Sequence, residues 1–323
     1  FKQKTAYEIG VRLVGSEMCI RDSSIIVFKT SEVAGVNSEG LCITLLPAAI
    51  IPILLGSFLA NSFSYESDLI LLISILLSTL CIQIATNFFN DALDDIKGAD
   101  TLNRIGPKRI SASGELTSQS LIIAGITFCF MAITFSLPIV VARGAPIVII
   151  GLIGLILSYC YTGGPWPLAY KGLGELFVIL FFGIVSVTGT FYIFSGKLNS
   201  CAILLGIQSG LLCSVIIAIN NARDIEEDRA SGKLTLAARY GIRFAKFEII
   251  ILSLSPYIIG LLWINFGFIK TALIPILGLP FSLLIALMVM KTKPSQAYNK
   301  YLGLSVIAYF NFAILVIISL LYK

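Results

Sequence analysis

Two short stretches concentrate the residues that could do chemistry. The first runs Asn87-Phe-Phe-Asn90-Asp91-Ala-Leu-Asp94-Asp95-Ile-Lys97-Gly98-Ala-Asp100, and the second Asn220-Asn221-Ala-Arg223-Asp224-Ile-Glu226-Glu227-Asp228-Arg229. In each, an Asn precedes an Asp by four residues, Asn90 to Asp94 and Asn220 to Asp224. On a helix that spacing puts both side chains on one face. Eight of the chain's 18 acidic residues fall in these stretches, beside Arg104, Lys108, Arg109, Arg223, Arg229 and Lys233. Like charges one turn apart repel by a few tenths of a kcal/mol, so a cation is expected to offset them. The chain has no His, and its seven Cys form no C-x-x-C pair, which points away from zinc or haem. A metal held by oxygen is then Mg²⁺. Asn beside Asp adds neutral oxygens, and two such faces meeting could hold two Mg²⁺ bridging a diphosphate, with Lys and Arg on the remaining phosphate oxygens.

Each stretch follows a long apolar run, so the diphosphate would sit at the mouth of an apolar cavity. An isoprenyl diphosphate has that shape. Metal and basic groups stabilise a departing pyrophosphate, which lets an allylic C–O bond ionise. The carbocation needs aromatic faces and a dry site. Phe88, Phe89, Tyr159, Tyr161, Phe181, Phe182 and Tyr192 are available, although plain packing is the alternative for any one of them. A third stretch, Tyr159-Cys-Tyr161-Thr-Gly-Gly-Pro-Trp-Pro-Leu-Ala-Tyr170-Lys171-Gly-Leu-Gly174-Glu175, breaks helix with its Gly and Pro. It reads as a lid or acceptor-binding loop in which Lys171 contacts the acceptor's carboxylate or the diphosphate; a bland connector is the other reading. Its charged groups are Lys171 and Glu175.

The elements that must position these residues are membrane helices. The chain of 323 residues is 57% hydrophobic and 13% charged, with a mean hydropathy of +0.94, far outside soluble composition. From Leu41 onward, nine apolar runs approach the roughly 20 residues a bilayer requires: 41–61, 69–89, 119–142, 146–162, 173–195, 200–221, 244–266, 270–291 and 300–322. All read as helices, because unpaired backbone cannot cross lipid. The expected fold is therefore all-α, a polytopic bundle of nine transmembrane helices with a central cavity and a single domain over 41–323. Pro47, Pro52, Pro138, Pro275 and Pro280 fall within or near helix ends. Residues 1–40 are polar and aperiodic and lack a secretory apolar core, and Glu8, Glu17, Asp22, Glu32 and Glu39 argue against a transit peptide. That segment is expected to be poorly structured, and the part up to about Ser24 is set aside from fold reasoning.

Loops after runs 2, 4, 6 and 8 carry fourteen Lys and Arg, against four at the other ends of the runs. By the positive-inside rule the acidic motifs face the cytoplasm, or the stroma in a plastid. The motifs lie 130 residues apart, and each opens a basic, Gly-containing loop, so the bundle reads as two pseudo-equivalent halves around a shared cavity.

With these residues assembled, the chain resembles the UbiA superfamily of membrane prenyltransferases. The resemblance rests on Asn90-Asp91-x-x-Asp94 and Asn220-x-x-x-Asp224-x-x-x-Asp228 and runs from about Leu45 to the C-terminus. Within the superfamily it is closest in pattern to the branch acting on 1,4-dihydroxy-2-naphthoate. That narrower likeness rests on Gly98-x-Asp100, on Arg104-Ile-Gly106-Pro107, on Tyr161-Thr-Gly-Gly-Pro-x-Pro-Leu-Ala-Tyr170 and on Gly232-Lys233-x-Thr235. The resemblance implies metal positions at Asp91, Asp94, Asp100, Asp224 and Asp228, with Mg²⁺ as cofactor. Asn87, Asn90, Asn220 and Asn221 map beside them, and Lys97, Arg104, Arg223 and Lys233 map onto diphosphate contacts. Tyr161 joins the substrate-binding set, and Asp94, Asp224, Asp228 and Lys171 are the expected catalytic residues. The implied reaction moves a polyprenyl or phytyl chain from its diphosphate to the naphthoate ring with loss of the carboxylate, on the way to menaquinone or phylloquinone. Its partners are the prenyl diphosphate, the aromatic acceptor and the bilayer, and no nucleic acid.

Acceptors such as 4-hydroxybenzoate or homogentisate stay open at this point. An ion-coupled carrier is the rival from another class, since repeated halves and carboxylates in a helical bundle describe carriers too. Carriers place ionisable groups near the bilayer midplane, whereas here the acids sit at helix ends.

Overall fold

A computed structural model describes residues 39–98, 105–106, 111 and 116–322, with side chains from residue 46 onward. The opening segment 1–38 lies outside the described residues, as do Asp100, Arg104, Lys108 and Arg109. The described chain is helical throughout, with no strand among the described residues. We number the helices α1 (Glu39–Ser62), α2 (Leu69–Ile96), α3 (Ser118–Arg143), α4 (Ala145–Cys160), α5 (Gly174–Ser195), α6 (Ser200–Arg223), α7 (Ile225–Ala230), α8 (Leu236–Phe266), α9 (Ile269–Lys291) and α10 (Ala297–Leu321).

Seven of these, α2, α3, α5, α6, α8, α9 and α10, are long and apolar enough to cross a bilayer. The 24-residue α1 and the 16-residue α4 occupy the places of the first and fourth sequence runs. At 1.5 Å per residue, the 16 residues of α4 reach about 24 Å, short of the roughly 30 Å hydrocarbon core. The nine-span expectation therefore stands, among the described residues, at seven full-length spans, with α1 described with side chains only from Leu46 and α4 short of a full crossing.

Local chemistry sets the helix starts. Asp68 Oδ1 accepts from the backbone N–H groups of Ile70 (2.7 Å) and Leu71 (3.1 Å) at the head of α2, and Asn199 Oδ1 does the same for Cys201 at α6 (2.7 Å). These caps satisfy amides that have no partner in a first turn. The prolines fit the helices. Pro47 and Pro52 lie inside α1 and Pro138 inside α3, while Pro275 and Pro280 open successive segments of α9, where a missing N–H costs little.

The core is built on α6. Of its apolar window, 78% is buried, against 17% for α3, whose Ile123, Ile126, Phe130, Leu137 and Val141 face outward. Around α6 a continuous apolar cluster joins α1, α5, α8 and α10. The α5–α6 contact depends on glycine: a Cβ on Gly183 would stand 2.4 Å from the Gly206 carbonyl and 2.5 Å from the Gly210 Cα. Backbone meets backbone there, the usual reason for small residues between membrane helices. The middle of α5, Ile179–Val185, is wound as π-helix. The α2–α3 pair packs closely on itself, with small clusters around Phe88 and Phe89. All the helix ends that carry the motifs meet at one end of the bundle, where the C-termini of α2 and α6 approach the 161–173 loop and the 231–235 turn.

Candidate active site

Helical spacing divides the acids of α2 into two faces. On one, Asp91 Oδ1 accepts from Ser111 (2.5 Å), and Asp95 accepts from Ser118 at the head of α3. On the other, Asp94 turns inward and is buried. Tyr170 donates its hydroxyl to Asp94 Oδ1 (2.8 Å), and Lys233 Nζ stands 3.6 Å from Asp94 Oδ2. The same Lys233 Nζ lies 3.9 Å from Asp228 Oδ1, and Asp228 Oδ2 accepts from Thr235 (3.2 Å). A single ammonium thus bridges a carboxylate from each motif. The 231–235 turn makes this possible, because the backbone N–H of Lys233 donates to the Asp228 carbonyl (2.7 Å) and fixes the side chain's origin.

Tyr170 is the plank between two cations. Lys97 Nζ lies 4.0 Å above its ring centroid and Lys233 Nζ 5.9 Å from it, within cation–π range. Lys97 also donates to the Thr162 carbonyl, and the Thr162 hydroxyl donates to Asn90 Oδ1. A backbone bond from Leu234 N to Tyr170 O (3.3 Å) holds the 161–173 loop against the turn that follows the second motif, and one from Ala169 N to Tyr161 O (2.9 Å) closes the loop on itself. The Gly/Pro stretch is therefore part of the site wall.

Arg223 organises the second motif from within. It is 1% exposed. Its Nε and Nη2 grip both oxygens of Asp224 (2.6 and 2.7 Å), Nη2 also donates to Asn220 Oδ1 (2.8 Å), and Nη1 donates to Asn299 Oδ1 on α10 (2.6 Å). A guanidinium fork pairs with a carboxylate in two parallel bonds. Asn221, on the neighbouring face, donates to Glu175 Oε1 (2.7 Å). Asn87 is half-buried one turn before Asn90.

Burial and neighbouring charge shift the titrating groups. Burial pushes the Asp228 carboxyl up to about 6, with Asp224 and Asp94 adding to the rise and Lys233 and Thr235 opposing it. Burial lowers Lys97, while Asp94 pulls it back. The Tyr161 phenol is raised far above its ordinary value by burial, then by the Glu175, Asp94 and Asp228 carboxylates, so it stays protonated.

The structure brings together Asp94, Asp228, Lys97, Lys233 and Asn90, and places Asp224, Asn220 and Arg223 in an adjoining cluster. Asp91 turns away toward Ser111. Lys171 is directed outward: its Nζ lies 5.6 Å from the exposed Trp166 ring, and its carbonyl accepts from Arg239 (3.0 Å). Asp100 and Arg104 fall outside the described residues. Sequence reasoning missed Tyr170, Thr162, Thr235 and Asn299 as partners. Only Tyr170 and Thr162, inside the Gly/Pro stretch, carried a local signal.

No three acidic, Cys or His groups cluster as a preformed cation cage among the described residues. The donor set nonetheless fits Mg²⁺, which keeps its waters and takes one or two carboxylates plus substrate phosphates instead of an all-protein cage. Asp94 and Asp228 are two such carboxylates, already compensated by one cation.

The model of the UbiA prenyltransferase family matches residues 49–315. A 1,4-dihydroxy-2-naphthoate octaprenyltransferase from Bacillus subtilis (strain 168) is 35% identical over 219 residues, 68% of this chain and 69% of that protein. The chain spans about two thirds of the length of such relatives. Among solved structures, the apo UbiA homolog from Aeropyrum pernix K1 superposes with a TM-score of 0.62 at 15% identity, over 86% of this chain and 97% of that one. A UbiA homolog from Archaeoglobus fulgidus bound to DMAPP and Mg²⁺ gives 0.53 at 14% identity, over 85% and 98%. These likenesses carry the fold. With the family model covering most of its length, and with its paired Asn/Asp motifs meeting at one end of a helical bundle, the chain belongs to the UbiA prenyltransferase family.

Proposed function

We propose that this membrane protein transfers a prenyl chain from its diphosphate to 1,4-dihydroxy-2-naphthoate, with loss of the ring carboxylate as CO₂. The observation that carries the reading is the Asp94–Lys233–Asp228 bridge with Lys97 beside it. It is a charge-balanced site that an anionic leaving group and a divalent cation can enter together. The relative from Bacillus subtilis supports the choice of acceptor. The donor's diphosphate lies against Lys97 and Lys233, and its first double bond lies against the aromatic run Tyr161, Phe177 and Phe181. Asp94 and Asp228 hold Mg²⁺, which when bound neutralises charge on the departing pyrophosphate. As the C–O bond breaks, the allylic cation forms against ring faces. A ring carbon of the acceptor then forms the new C–C bond, and the electron pair of the broken C–CO₂ bond restores aromaticity. The excess of Lys and Arg in these loops supports a cytoplasmic or stromal position for this end of the bundle.

Product analysis tests the proposal. Membranes containing the protein are supplied with Mg²⁺, 1,4-dihydroxy-2-naphthoate and geranylgeranyl, phytyl and longer prenyl diphosphates, and read by mass spectrometry. A decarboxylated prenyl-naphthoquinol, or the quinone that air oxidation makes from it, that disappears with EDTA is the expected result, and its mass names the donor. Prenylation of only 4-hydroxybenzoate or homogentisate would overturn the choice of acceptor and leave prenyl transfer standing.

A further inference from the structure

Two side-chain oxygens near the site, Glu175 Oε2 and the Tyr161 hydroxyl, have no hydrogen-bond partner among the described residues. Glu175 is 4% exposed, and although its Oε1 accepts from Asn221, its Oε2 has no partner. A buried carboxylate oxygen left bare is costly, and a ligand group is one way to satisfy it. The Glu175 backbone is also pinned, since its carbonyl accepts from Ser214 (3.1 Å) on α6. The side chain therefore has little freedom to seek a partner elsewhere.

Tyr161 is the second. Its hydroxyl lies 3.1 Å from where a Cβ on Gly174 would stand, so the residue before Glu175 must be small for the phenol to fit. Among the described residues that hydroxyl meets no hydrogen-bond partner. Burial, and then the carboxylates around it, keep it protonated, hence a donor. That approach to Gly174 sets the phenol beside the residue preceding Glu175, within the electrostatic reach of Glu175 and of the motif carboxylates Asp94 and Asp228. Its ring meets Phe177 at a tilt (5.2 Å), and Phe177 stacks on Phe181 (4.8 Å), so the hydroxyl stands at the edge of the aromatic run against which the donor lies.

We infer that Tyr161 and Glu175 form a donor–acceptor pair that binds a phenolic hydroxyl of the aromatic acceptor, Tyr161 Oη donating to it and Glu175 Oε2 accepting from it. A hydroxyl is complementary to such a pair because it both accepts and donates. An ionised carboxylate is not, since it has no proton to donate to Glu175. The pair therefore sets the acceptor's orientation, hydroxyl toward Glu175 and ring carboxylate away. This inference rests on the proposed acceptor chemistry but extends to any hydroxyl-bearing aromatic acid.

The test is calorimetric binding to the purified full chain in detergent, loaded with Mg²⁺ and inorganic pyrophosphate. The ligands are 1,4-dihydroxy-2-naphthoate, 1-hydroxy-2-naphthoate and 4-hydroxy-2-naphthoate, with 4-hydroxybenzoate against benzoate as a second series. The parent chain is expected to lose about 10- to 100-fold in affinity when the engaged hydroxyl is removed, as for a hydrogen bond to a charged group. Glu175→Gln keeps the size but presents an amide, and is expected to bind hydroxylated and deoxy ligands alike while holding Mg²⁺ and pyrophosphate as before. Discrimination that survives in Glu175→Gln overturns the inference. Should that variant lose pyrophosphate binding as well, Tyr161→Phe carries the test, and retained discrimination there overturns it too. If naphthoates do not bind but 4-hydroxybenzoate does, with discrimination that Glu175→Gln removes, the choice of acceptor fails and this inference stands. If no hydroxylated acid binds, both fall.

Discussion

Arg223 shows how much a single side chain can decide in this bundle. Four hydrogen bonds link it to Asp224, Asn220 and Asn299, and both Arg223 and Asp224 are buried. Removing one partner of a buried ion pair leaves the other charge uncompensated, at a cost of about 3–5 kcal/mol. Arg223→Ala is therefore expected to lower the thermal midpoint in detergent sharply, and an unchanged midpoint would contradict that account. The two faces of α2 make a second prediction. Asp94→Asn, which removes charge from the bridge, should reduce turnover by about 10³-fold or more, on the scale of losing a preorganised electrostatic contact, while the protein stays inserted. Asp91→Asn, on the Ser111 side, should cost far less; equal losses would show that both acids act at the same place. Asp228 adds a pH effect. Its folded carboxyl is raised to about 6 from 3.8, so the stability it contributes is full below about 3.8 and is lost as pH rises through about 6. The metal-free protein should lose at most about 3 kcal/mol over that window. In Asp228→Asn that component of the pH profile should disappear.

At the scale of elements, the site depends on how α5 and α6 approach. Gly183, Gly206 and Gly210 let two backbones touch, which sets Glu175 at the head of α5 beside Asn221 at the foot of α6. Gly206→Val would force Cβ and methyl groups into the Ile184 backbone, with overpacking of about 1–3 kcal/mol. Gly151→Val, in open space on α4, should leave the thermal midpoint nearly unchanged, and a matching drop would remove the close-approach argument. The loops divide in the same way. Lys97 and Lys233 flank Tyr170, while Lys171 is turned toward Trp166. Lys97→Ala and Lys233→Ala should therefore raise the donor KM, and Lys171→Ala should leave both donor and acceptor kinetics close to those of the parent chain. A large effect of Lys171→Ala would restore the contact the Gly/Pro stretch led us to expect.

Over the whole molecule, the odd number of spans and the skewed Lys and Arg predict which side each end faces. Cysteine placed at Lys233 should react with an impermeant thiol reagent from the cytoplasmic side, and cysteine at Lys197 or Lys270 from the other; labelling of all three from one side would invert the topology. What the sequence determined by itself was the class of molecule and the chemistry: apolar runs leave the backbone no option but helix, and Asn and Asp four apart must share a helical face. It could not say which acids converge. Periodicity along α2 is local, but whether Asp94 meets Asp228 through Lys233 depends on the turn after Asp228 and on the loop carrying Tyr170, which lie far apart in the chain. Likewise Glu175 reads in the sequence as the end of a connector. Only the closeness of α5 to α6 buries it beside Asn221 with one oxygen unsatisfied, because burial and hydrogen-bond balance are properties of neighbours that the chain brings together only when it folds.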